Sequence, residues 1–272
     1  MSDSTFSNRK VALVTGASSG IGRETALAFA RRGWAVVLAA RRADCLADVA
    51  AACGVAGGEA MVVVTDVAQR NQVEAAVAGA VERFGRLDVM VNNAGFGVFG
   101  EAIDLDERDL RDIFEVNFFG LWYGLRAAAK VMIAQGGGHI FNVSSVIGKR
   151  GTPMHGAYCA TKFAVNGLTE SARVELRPKK VWVTLVCPAM TATEFFSRGS
   201  MARRAGRAFG RFHRTMPARA VGETIAATAG RYKSEIIFTA GGKLLAWLSA
   251  LLPGVVDVGM GSFREALARR CK

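Results

Sequence analysis

Tyr158, Lys162 and Ser145 have the residue types and the spacing of a proton-transfer site, with the serine thirteen residues before the tyrosine. On a helix, residues four apart share one face, so the Lys162 ammonium is expected close to the Tyr158 phenol. A nearby cation favours the phenolate and lowers a tyrosine pKa from its usual value of about 10. Such a phenol can exchange a proton with a carbonyl or alcohol oxygen. On an ordinary surface helix the same pair has no chemical role, so its meaning depends on the rest of the chain.

A glycine-rich turn near the N-terminus predicts a phosphate-binding site. An apolar run at residues 10–14 fits a buried parallel strand, and residues 23–32 have helical apolar spacing. Glycines between a strand and a helix let the backbone approach a pyrophosphate, which the helix N-terminus also favours. A plain structural turn is the alternative. The spacing is Gly-x-x-x-Gly-x-Gly, and the candidate phosphate contacts are Gly16, Ser18, Ser19, Gly20, Ile21 and Gly22.

Two arginines, Arg41 and Arg42, follow the second predicted strand at residues 35–39. An acidic residue at this position would bond the ribose 2′-hydroxyl of NAD, whereas arginine accommodates the 2′-phosphate of NADP. No Asp or Glu occurs between Glu24 and Asp44. The planar fork of arginine can bond two phosphate oxygens at once. The sequence therefore predicts NADP(H); the alternative is a solvated pair of arginines at a helix start.

From residue 10 to residue 239 the chain resembles the short-chain dehydrogenase/reductase superfamily, in its single-domain form of about 250 residues. The individual motifs are modest, but they occur in the family's order and at its separations. They are the glycine turn at 15–22, Asp66, the Asn92-Asn93-Ala94-Gly95 run, Asn117, Ser145, Tyr158 with Lys162, and Pro188.

The resemblance implies a role for each catalytic candidate. Tyr158 would be the general acid/base, and Ser145 would hold the substrate oxygen; Ser144 also lies next to the site. Lys162 would lower the Tyr158 pKa and bind the nicotinamide ribose, and Asn117 would kink its helix and anchor a water that relays protons. Asp66 and Val67 would contact adenine, and Asn93 would brace the strand beside the cofactor. The cofactor contacts implied beyond the glycine turn and the two arginines are Asp66, Val67, Asn93, Ala94, Gly95, Tyr158, Lys162, Pro188, Thr191 and Thr193.

Ala189 departs from the family pattern, which has glycine after the proline. If this position needs a positive φ, alanine there costs about 1 kcal/mol or more. The contacts expected near Thr191 and Thr193 with the nicotinamide carboxamide depend on this backbone.

Strands and helices alternate along the chain, which predicts an α/β fold with a parallel sheet and helices on both faces. The resemblance implies a doubly wound Rossmann fold with seven strands in the order 3-2-1-4-5-6-7. No linker or repeat divides the chain, so we expect one domain over residues 1–272. Further strands are predicted at 60–64, 87–91, 139–143, 181–186 and 236–239, and helices at 73–84, 106–134 and 157–176.

A basic segment at about residues 190–220 corresponds to the substrate lid of the family. Between Phe195 and Gly222 there are seven arginines and no acidic residue. A basic amphipathic helix can lie on an anionic membrane or meet a phosphate-bearing group such as phosphopantetheine. A simply solvated basic face is the third interpretation.

An apolar C-terminal extension occupies about residues 241–272, where compact members of the family end. Its densest run, at 244–252, is shorter than the 20 or so residues that span a bilayer. Three interpretations are open: it packs over the substrate pocket, pairs with a second subunit, or dips into a membrane interface.

The pocket that the resemblance implies is mostly apolar. Such a pocket suits a hydrophobic ketone, aldehyde or secondary alcohol, with a steroid-, retinoid- or lipid-like body. The alternative is a reductase of 3-oxoacyl carriers or acyl-CoA. The lining positions expected by resemblance are Phe96, Val98, Val146, Ile147, Met154, Phe195 and Phe196, and the substrate contacts are Ser145, Tyr158, Phe96, Ile147, Met154 and Phe195.

The amino-acid composition indicates the cellular compartment and the kinds of partner that this chain is expected to have. The net charge is +12, but the basic residues have little aromatic interleaving, which argues against a nucleic-acid partner. The five cysteines are scattered, as is typical of reduced thiols, and residues 1–9 lack the apolar core of a secretory signal. We therefore expect a cytoplasmic protein. It would be peripheral to a membrane if the basic and apolar segments dock there. Three separated histidines predict no metal site. The helices at 106–134 and 157–176 form the dimer face in much of the family, so a homodimer or homotetramer is expected.

Overall fold

The computed structural model describes residues 9–191 and 215–271, without the side chains of residues 262, 263 and 266–271. Its centre is a seven-stranded sheet in the order β3-β2-β1-β4-β5-β6-β7, in which every pair of neighbours is parallel. The predicted doubly wound fold and strand order are confirmed. The strands are β1 (Val11–Thr15), β2 (Ala35–Ala40), β3 (Glu59–Val64), β4 (Val89–Asn92), β5 (Gly138–Val143), β6 (Val181–Cys187) and β7 (Glu235–Ile237).

Helices cover both faces of the sheet. The central strands are therefore buried on both sides, which explains why they read as continuous apolar runs in the sequence. Leu38 and Phe141 belong to the core on one face, and Leu13, Met90 and Ile140 to the core on the other. The helices are α1 (Gly20–Ala30), α2 (Ala43–Val55), α3 (Arg70–Phe84), α4 (Glu107–Phe114), α5 (Gly120–Ala134), α6 (Gly156–Leu176), α7 (Ala218–Thr228), α8 (Ala240–Leu251) and α9 (Pro253–Cys271).

The helix predicted over residues 106–134 is interrupted. A π-helical segment, Glu115–Phe119, joins α4 to α5 and contains the buried Asn117. The apolar spacing is compatible with one long helix, but an extra residue in one turn shifts the hydrogen-bonding pattern locally.

The last predicted strand also ends earlier than the sequence suggested. β7 stops at Ile237, and Thr239 instead begins α8, where its hydroxyl accepts a 3.0 Å hydrogen bond from Gly242 N. A threonine side chain satisfies one of the free N–H groups of the first turn, which favours helix initiation there.

The chain after β7 forms two helices, α8 and α9, so the predicted apolar extension is helical. Of the predicted basic lid, residues 192–214 lie outside the described residues. Within the described residues, no helix combines the length and the apolar character needed to cross a membrane.

Candidate active site

A large cavity lies at the carboxyl ends of the strands. The sheet order reverses between β1 and β4, and in open α/β sheets the crevice at this reversal is where ligands bind. The cavity has a volume of about 830 Å³. It is lined by Gly16, Ser18, Ser19, Gly20, Ile21, Ala40, Arg41, Arg42, Thr65, Asp66, Val67, Asn93, Ala94, Gly95, Phe96, Val116, Val143, Ser144, Ser145, Val146, Ile147, Thr152, His155, Tyr158, Lys162, Pro188, Ala189, Met190, Thr191, Leu245, Gly259 and Met260.

The glycine turn is a cradle that side chains would fill. Gly16 has φ +67° and Gly20 has φ +55°, a region that favours glycine. A Cβ on Gly22 would lie 2.2 Å from the Gly16 carbonyl oxygen, so Gly22 packs the turn against α1 without lining the cavity. Ser19 precedes α1 and makes no side-chain capping bond. The first turn of α1 is thus left open to an anionic ligand, and these residues fit a dinucleotide pyrophosphate.

Asn93 links the turn to the neighbouring strand. Its Nδ2 donates a 2.9 Å hydrogen bond to Thr15 O, and its backbone N–H donates to Thr15 Oγ1, also at 2.9 Å. Ala94 N donates to the same hydroxyl at 3.1 Å. The ends of β1 and β4 are therefore held together beside the cavity.

The far end of the cavity carries the two arginines. Arg41 and Arg42 both line it, and the Arg42 guanidinium donates to Ser18 Oγ at 3.2 and 3.3 Å. Asp66 is fixed opposite them: its backbone N–H donates to Gln72 Oε1 at 2.8 Å, and its Oδ1 accepts from Ala68 N at 3.1 Å. Cationic and hydrogen-bonding groups thus surround the end where an adenosine would lie.

Tyr158, Ser145 and Lys162 meet in the middle of the cavity. The Tyr158 hydroxyl is hydrogen-bonded to Ser145, and the Ser145 Oγ also accepts from Ile147 N at 3.4 Å. The Lys162 ammonium lies 5.5 Å from the centroid of the Tyr158 ring and donates a 2.9 Å hydrogen bond to Val143 O. Helix α6 carries the tyrosine and the lysine, whereas the loop after β5 carries the serine.

The electrostatics of this group differ from the sequence prediction. Burial raises the pKa of the Tyr158 phenol, although its hydrogen bond with Ser145 acts in the opposite direction. Burial also lowers the pKa of Lys162 to about 8. The sequence predicts a lowered Tyr158 pKa, whereas loss of solvation is the largest influence on the buried phenol and raises it. The effect of the Lys162 ammonium on the phenol stays a prediction.

Asn117 is directed toward the protein backbone. Its Oδ1 accepts from Phe96 N at 2.9 Å, and its Nδ2 donates to Phe96 O at 2.9 Å and to Thr161 Oγ1 at 3.3 Å. Both amide hydrogens are used, so the side chain positions Phe96, and a water relay would have to begin at the Asn117 backbone. A Cβ on Gly95 would come within 3.0 Å of the Asn117 Oδ1, which explains the glycine there.

Asn166 is a site residue that the sequence reasoning missed. Its Oδ1 accepts a 2.6 Å hydrogen bond from Ser144 Oγ, and its Nδ2 donates to Gly148 O at 2.8 Å. A Cβ on Gly148 would lie 3.1 Å from the Lys162 Cβ. The loop that bears Ser145 is thereby tied to the helix that bears Tyr158. The signal available in the sequence was an asparagine one turn after Lys162, on the same helix face.

The wall beyond Tyr158 is mainly apolar, but its members differ in part from those expected. Met154 and Val98 do not line the cavity. Met154 has φ +67°, and its carbonyl accepts a 2.9 Å hydrogen bond from Gly100 N. His155 lines the cavity instead, and burial lowers its pKa. Phe195, Phe196 and Thr193 lie outside the described residues, whereas the lining includes Phe96, Val116, Val146, Ile147, Met190, Leu245 and Met260.

Ala189 causes no backbone strain. Among the described residues other than glycine, only Met154 and Lys180 have a positive φ. The loop is held by hydrogen bonds from Val146 N to Pro188 O at 3.1 Å and from Thr191 Oγ1 to Ala189 O at 2.8 Å. The condition for strain at Ala189, a positive φ, is therefore not met.

Within the described part of the chain, no group of three His, Cys, Asp or Glu is placed to hold a metal ion. The fold and the residues that line the cavity are those of a dinucleotide-binding α/β protein. The family model described as short chain dehydrogenase matches residues 10–203. The chain belongs to the short-chain dehydrogenase/reductase family, whose members are oxidoreductases.

Three curated relatives illustrate its range. An uncharacterized oxidoreductase of Bacillus subtilis, YxnA, is 36% identical over 253 residues, which are 91% of this chain and 70% of the relative. A 3beta-hydroxysteroid dehydrogenase of Mediterraneibacter gnavus is 39% identical over 71% of this chain and 70% of its own length. A 3-oxoacyl-[acyl-carrier-protein] reductase of Synechocystis is 37% identical over 68% of this chain and 75% of its own length.

Two solved structures share the fold. A short-chain dehydrogenase/reductase from Burkholderia phymatum, in complex with NAD, superimposes with a TM-score of 0.84 and 30% identity, covering 91% of this chain and 95% of that one. An alcohol dehydrogenase from Thermococcus sibiricus, complexed with 5-hydroxy-NADP, has a TM-score of 0.74 and 28% identity, covering 84% and 95%.

Proposed function

We propose that this protein is an NADP(H)-dependent oxidoreductase acting on a hydrophobic ketone or aldehyde, or on the corresponding alcohol. The observation that carries the proposal is the hydrogen bond between Tyr158 and Ser145 in the middle of the cavity, with the Lys162 ammonium beside the tyrosine ring. A bound NADPH would supply a hydride from C4 of its nicotinamide to the carbonyl carbon.

The residues of this chain handle the oxygen and the proton. In the reducing direction Ser145 donates a hydrogen bond to the carbonyl oxygen, and Tyr158 transfers its phenolic proton to that oxygen as negative charge develops there. The raised pKa of Tyr158 keeps the phenol protonated before the reaction. The Lys162 ammonium beside the ring stabilises the phenolate that proton transfer leaves behind. In the oxidising direction the same groups act in reverse.

Two arginines at one end of the cavity support the preference for NADP(H). Arg41 and Arg42 both line it, directly after β2, where a 2′-phosphate would lie. Two guanidinium groups favour that phosphate over a bare ribose hydroxyl. The related structures contain NAD in one case and an NADP analogue in the other, so the arginines themselves support this part of the proposal.

Apolar side chains that line the cavity support the proposed substrate class. Phe96, Ile147, Leu245 and Met260 surround the space in front of Tyr158. Such a wall selects substrates by shape and apolar contact, which suits a steroid-, retinoid- or lipid-like molecule. The likeness to a 3beta-hydroxysteroid dehydrogenase supports this class.

A reductase of 3-oxoacyl carriers or acyl-CoA is the second candidate. It is favoured by the likeness to a 3-oxoacyl-[acyl-carrier-protein] reductase and by the arginines between residues 198 and 219, which would meet a phosphate-bearing carrier.

A substrate panel tests both candidates. Hydrophobic ketones, their alcohols and 3-oxoacyl-CoA are assayed with NADPH, NADP, NADH and NAD. Turnover of free hydrophobic carbonyls with a preference for NADPH supports the first proposal. Turnover of acyl-CoA alone supports the second, and no turnover of either class contradicts both.

We also propose a single-domain, cytoplasmic protein that forms a homodimer or homotetramer. The α6 surface supports self-association, because Phe163 and Val174 on it are both exposed.

A further inference from the structure

The two last helices expose a row of large apolar side chains. Trp247 is 61% exposed and Val258 is 76% exposed, and the other members are at least half exposed. Leu244, Trp247 and Leu251 follow each other at helical spacing, so they share one side of α8. Several large apolar side chains exposed on neighbouring parts of the chain are typical of an interaction site. We call it the C-terminal apolar face; it consists of Leu244, Trp247, Leu251, Leu252, Val255 and Val258.

The same helices form a wall of the active-site cavity, because Leu245 and Met260 line it. The start of α8 lies tightly against the catalytic loop, since a Cβ on Gly242 would be 2.8 Å from Val146 Cγ1. The C-terminal apolar face is therefore on elements that border the substrate space.

Polar contacts fix α9 in this position. Arg150 pairs with Asp257 and donates to Pro253 O at 3.1 Å. Arg264 pairs with Glu101 at 2.9 Å. These contacts join α9 to the loops that follow β5 and β4, so the face is presented by a fixed element.

The net charge of the chain is concentrated in the part of the sequence that includes this face. Residues 198–272 contain 14 of the 35 Lys and Arg and 4 of the 23 Asp and Glu, so they hold +10 of the net charge of +12. The exposed Lys243 lies one helical turn before Trp247. A segment with this net charge favours an anionic surface over a second, equally charged copy of itself, and Lys243 places one such charge next to the apolar side chains.

We propose that the C-terminal apolar face docks on an anionic lipid bilayer, with α8 and α9 lying in the interface. Trp247 suits the headgroup level, where an indole has both apolar and polar neighbours, and Lys243 can extend its ammonium to a lipid phosphate. The idea that the enzyme takes its hydrophobic substrate from the bilayer rests on the proposed function. The docking itself does not.

Co-sedimentation of the full chain with vesicles tests the docking. The vesicles are phosphatidylcholine alone, or phosphatidylcholine with about one third phosphatidylserine, at low salt and at about 0.15 M salt. We expect binding to the anionic vesicles, weakened by salt. The double variant Leu251→Gln with Val255→Gln should lower the bound-to-free ratio about tenfold, because two apolar side chains no longer enter the interface.

A matched control is available elsewhere on the surface. Val55 and Val64 are 92% and 57% exposed, and the double variant Val55→Gln with Val64→Gln should bind as the wild type does. In addition, vesicles should shift the tryptophan emission of the wild type to the blue, and most of this shift should be lost in Trp247→Phe.

Three outcomes overturn the proposal. They are wild-type protein that stays in the supernatant with every vesicle, equal binding by both double variants, and a Leu251/Val255 variant that changes the oligomeric state while vesicles bind nothing. The last outcome would assign the face to a second copy. NADPH oxidation with a water-soluble ketone, measured without vesicles, tests the proposed function separately. Neither double variant alters a residue that lines the cavity, so both should oxidise NADPH as the wild type does.

Discussion

The hydroxyl of Ser144 and the side-chain carbonyl of Asn166 are joined by a buried 2.6 Å hydrogen bond between the catalytic loop and the catalytic helix. Neither side chain is proposed to touch the reacting atoms. Their effect is on position, since Ser145 follows Ser144 in the chain and Lys162 lies one turn before Asn166.

Replacing Asn166 with alanine should show whether this residue positions the catalytic loop without taking part in the reaction. The variant leaves Ser144 Oγ with its longer 3.4 Å bond to Lys162 O and removes the Asn166 donor to Gly148 O, which should lower the free energy of unfolding by about 1–3 kcal/mol. We expect kcat to fall about tenfold while the KM for the cofactor changes little, as measured by steady-state kinetics. Asn71→Ala, at an exposed position on α3, is the control.

A double-mutant cycle sharpens this test. If the hydrogen bond itself positions the loop, Ser144→Ala and Asn166→Ala should be strongly non-additive in kcat. Additive effects, or an unchanged kcat despite lower stability, would show that Asn166 serves stability alone.

Replacing Tyr158 with phenylalanine removes the proton donor and keeps the ring. Turnover should fall by about 10²–10⁴-fold, the usual contribution of a general acid, while the Kd for NADPH stays close to that of the wild type. Fluorescence titration gives the Kd and stopped assays give the residual rate. Tyr232→Phe, at an exposed tyrosine, is the matched control and should be fully active. Substantial activity in Tyr158→Phe would refute the assignment.

Replacing Arg41 or Arg42 with alanine should change the choice between cofactors. A charge-assisted hydrogen bond contributes about 1.5–3 kcal/mol, so we expect kcat/KM for NADPH to fall about 10–100-fold. The value for NADH should stay nearly constant, because NADH has no 2′-phosphate. Arg108→Ala, at an arginine with a mostly exposed side chain on α4, controls for the loss of positive charge. Equal losses with both cofactors would sink the assignment of a 2′-phosphate site.

His139 predicts how stability changes in acid. It is buried in β5, where its Nε2 is 2.8 Å from Thr184 Oγ1, and burial lowers its pKa to about 3. An unfolded histidine titrates at about 6.5, so the unfolded chain binds more protons between pH 6.5 and 3. Stability is therefore fully present above pH 6.5 and is lost as the pH falls. The contribution of this one group is about 4–5 kcal/mol over the whole interval.

Denaturant unfolding of His139→Gln at several pH values checks this expectation. Glutamine can still donate a hydrogen bond to Thr184 but does not titrate. The difference in unfolding free energy between wild type and variant should shrink, and then reverse in sign or vanish, as the pH falls from 7 to 4. Parallel curves for the two proteins would contradict a buried neutral histidine.

Most of the fold follows from the sequence because the central strands are buried on both faces and need continuous apolar runs. The glycine turn also follows, because Gly16 and Gly20 occupy backbone conformations that other residues avoid. What the sequence could not predict depends on long-range contacts. The burial that raises the Tyr158 pKa and the bond from Lys162 to Val143 O both depend on contacts between different elements. The absence of Met154 from the cavity lining and the position of Asn166 are also set by tertiary packing.

The π-helical segment Glu115–Phe119 has a consequence for how the length of this chain can vary. It holds one residue more than an α-helical path between α4 and α5 would need. Losing one residue there would let the two helices join as one continuous α-helix, and residues within the segment would shift by about 100° around the helix axis. Asn117 would then leave the Phe96 backbone. Surface loops tolerate insertions and deletions, but this segment does not, because a change of length would displace Asn117. A related protein with a gap here in an alignment would therefore have a different arrangement around Phe96.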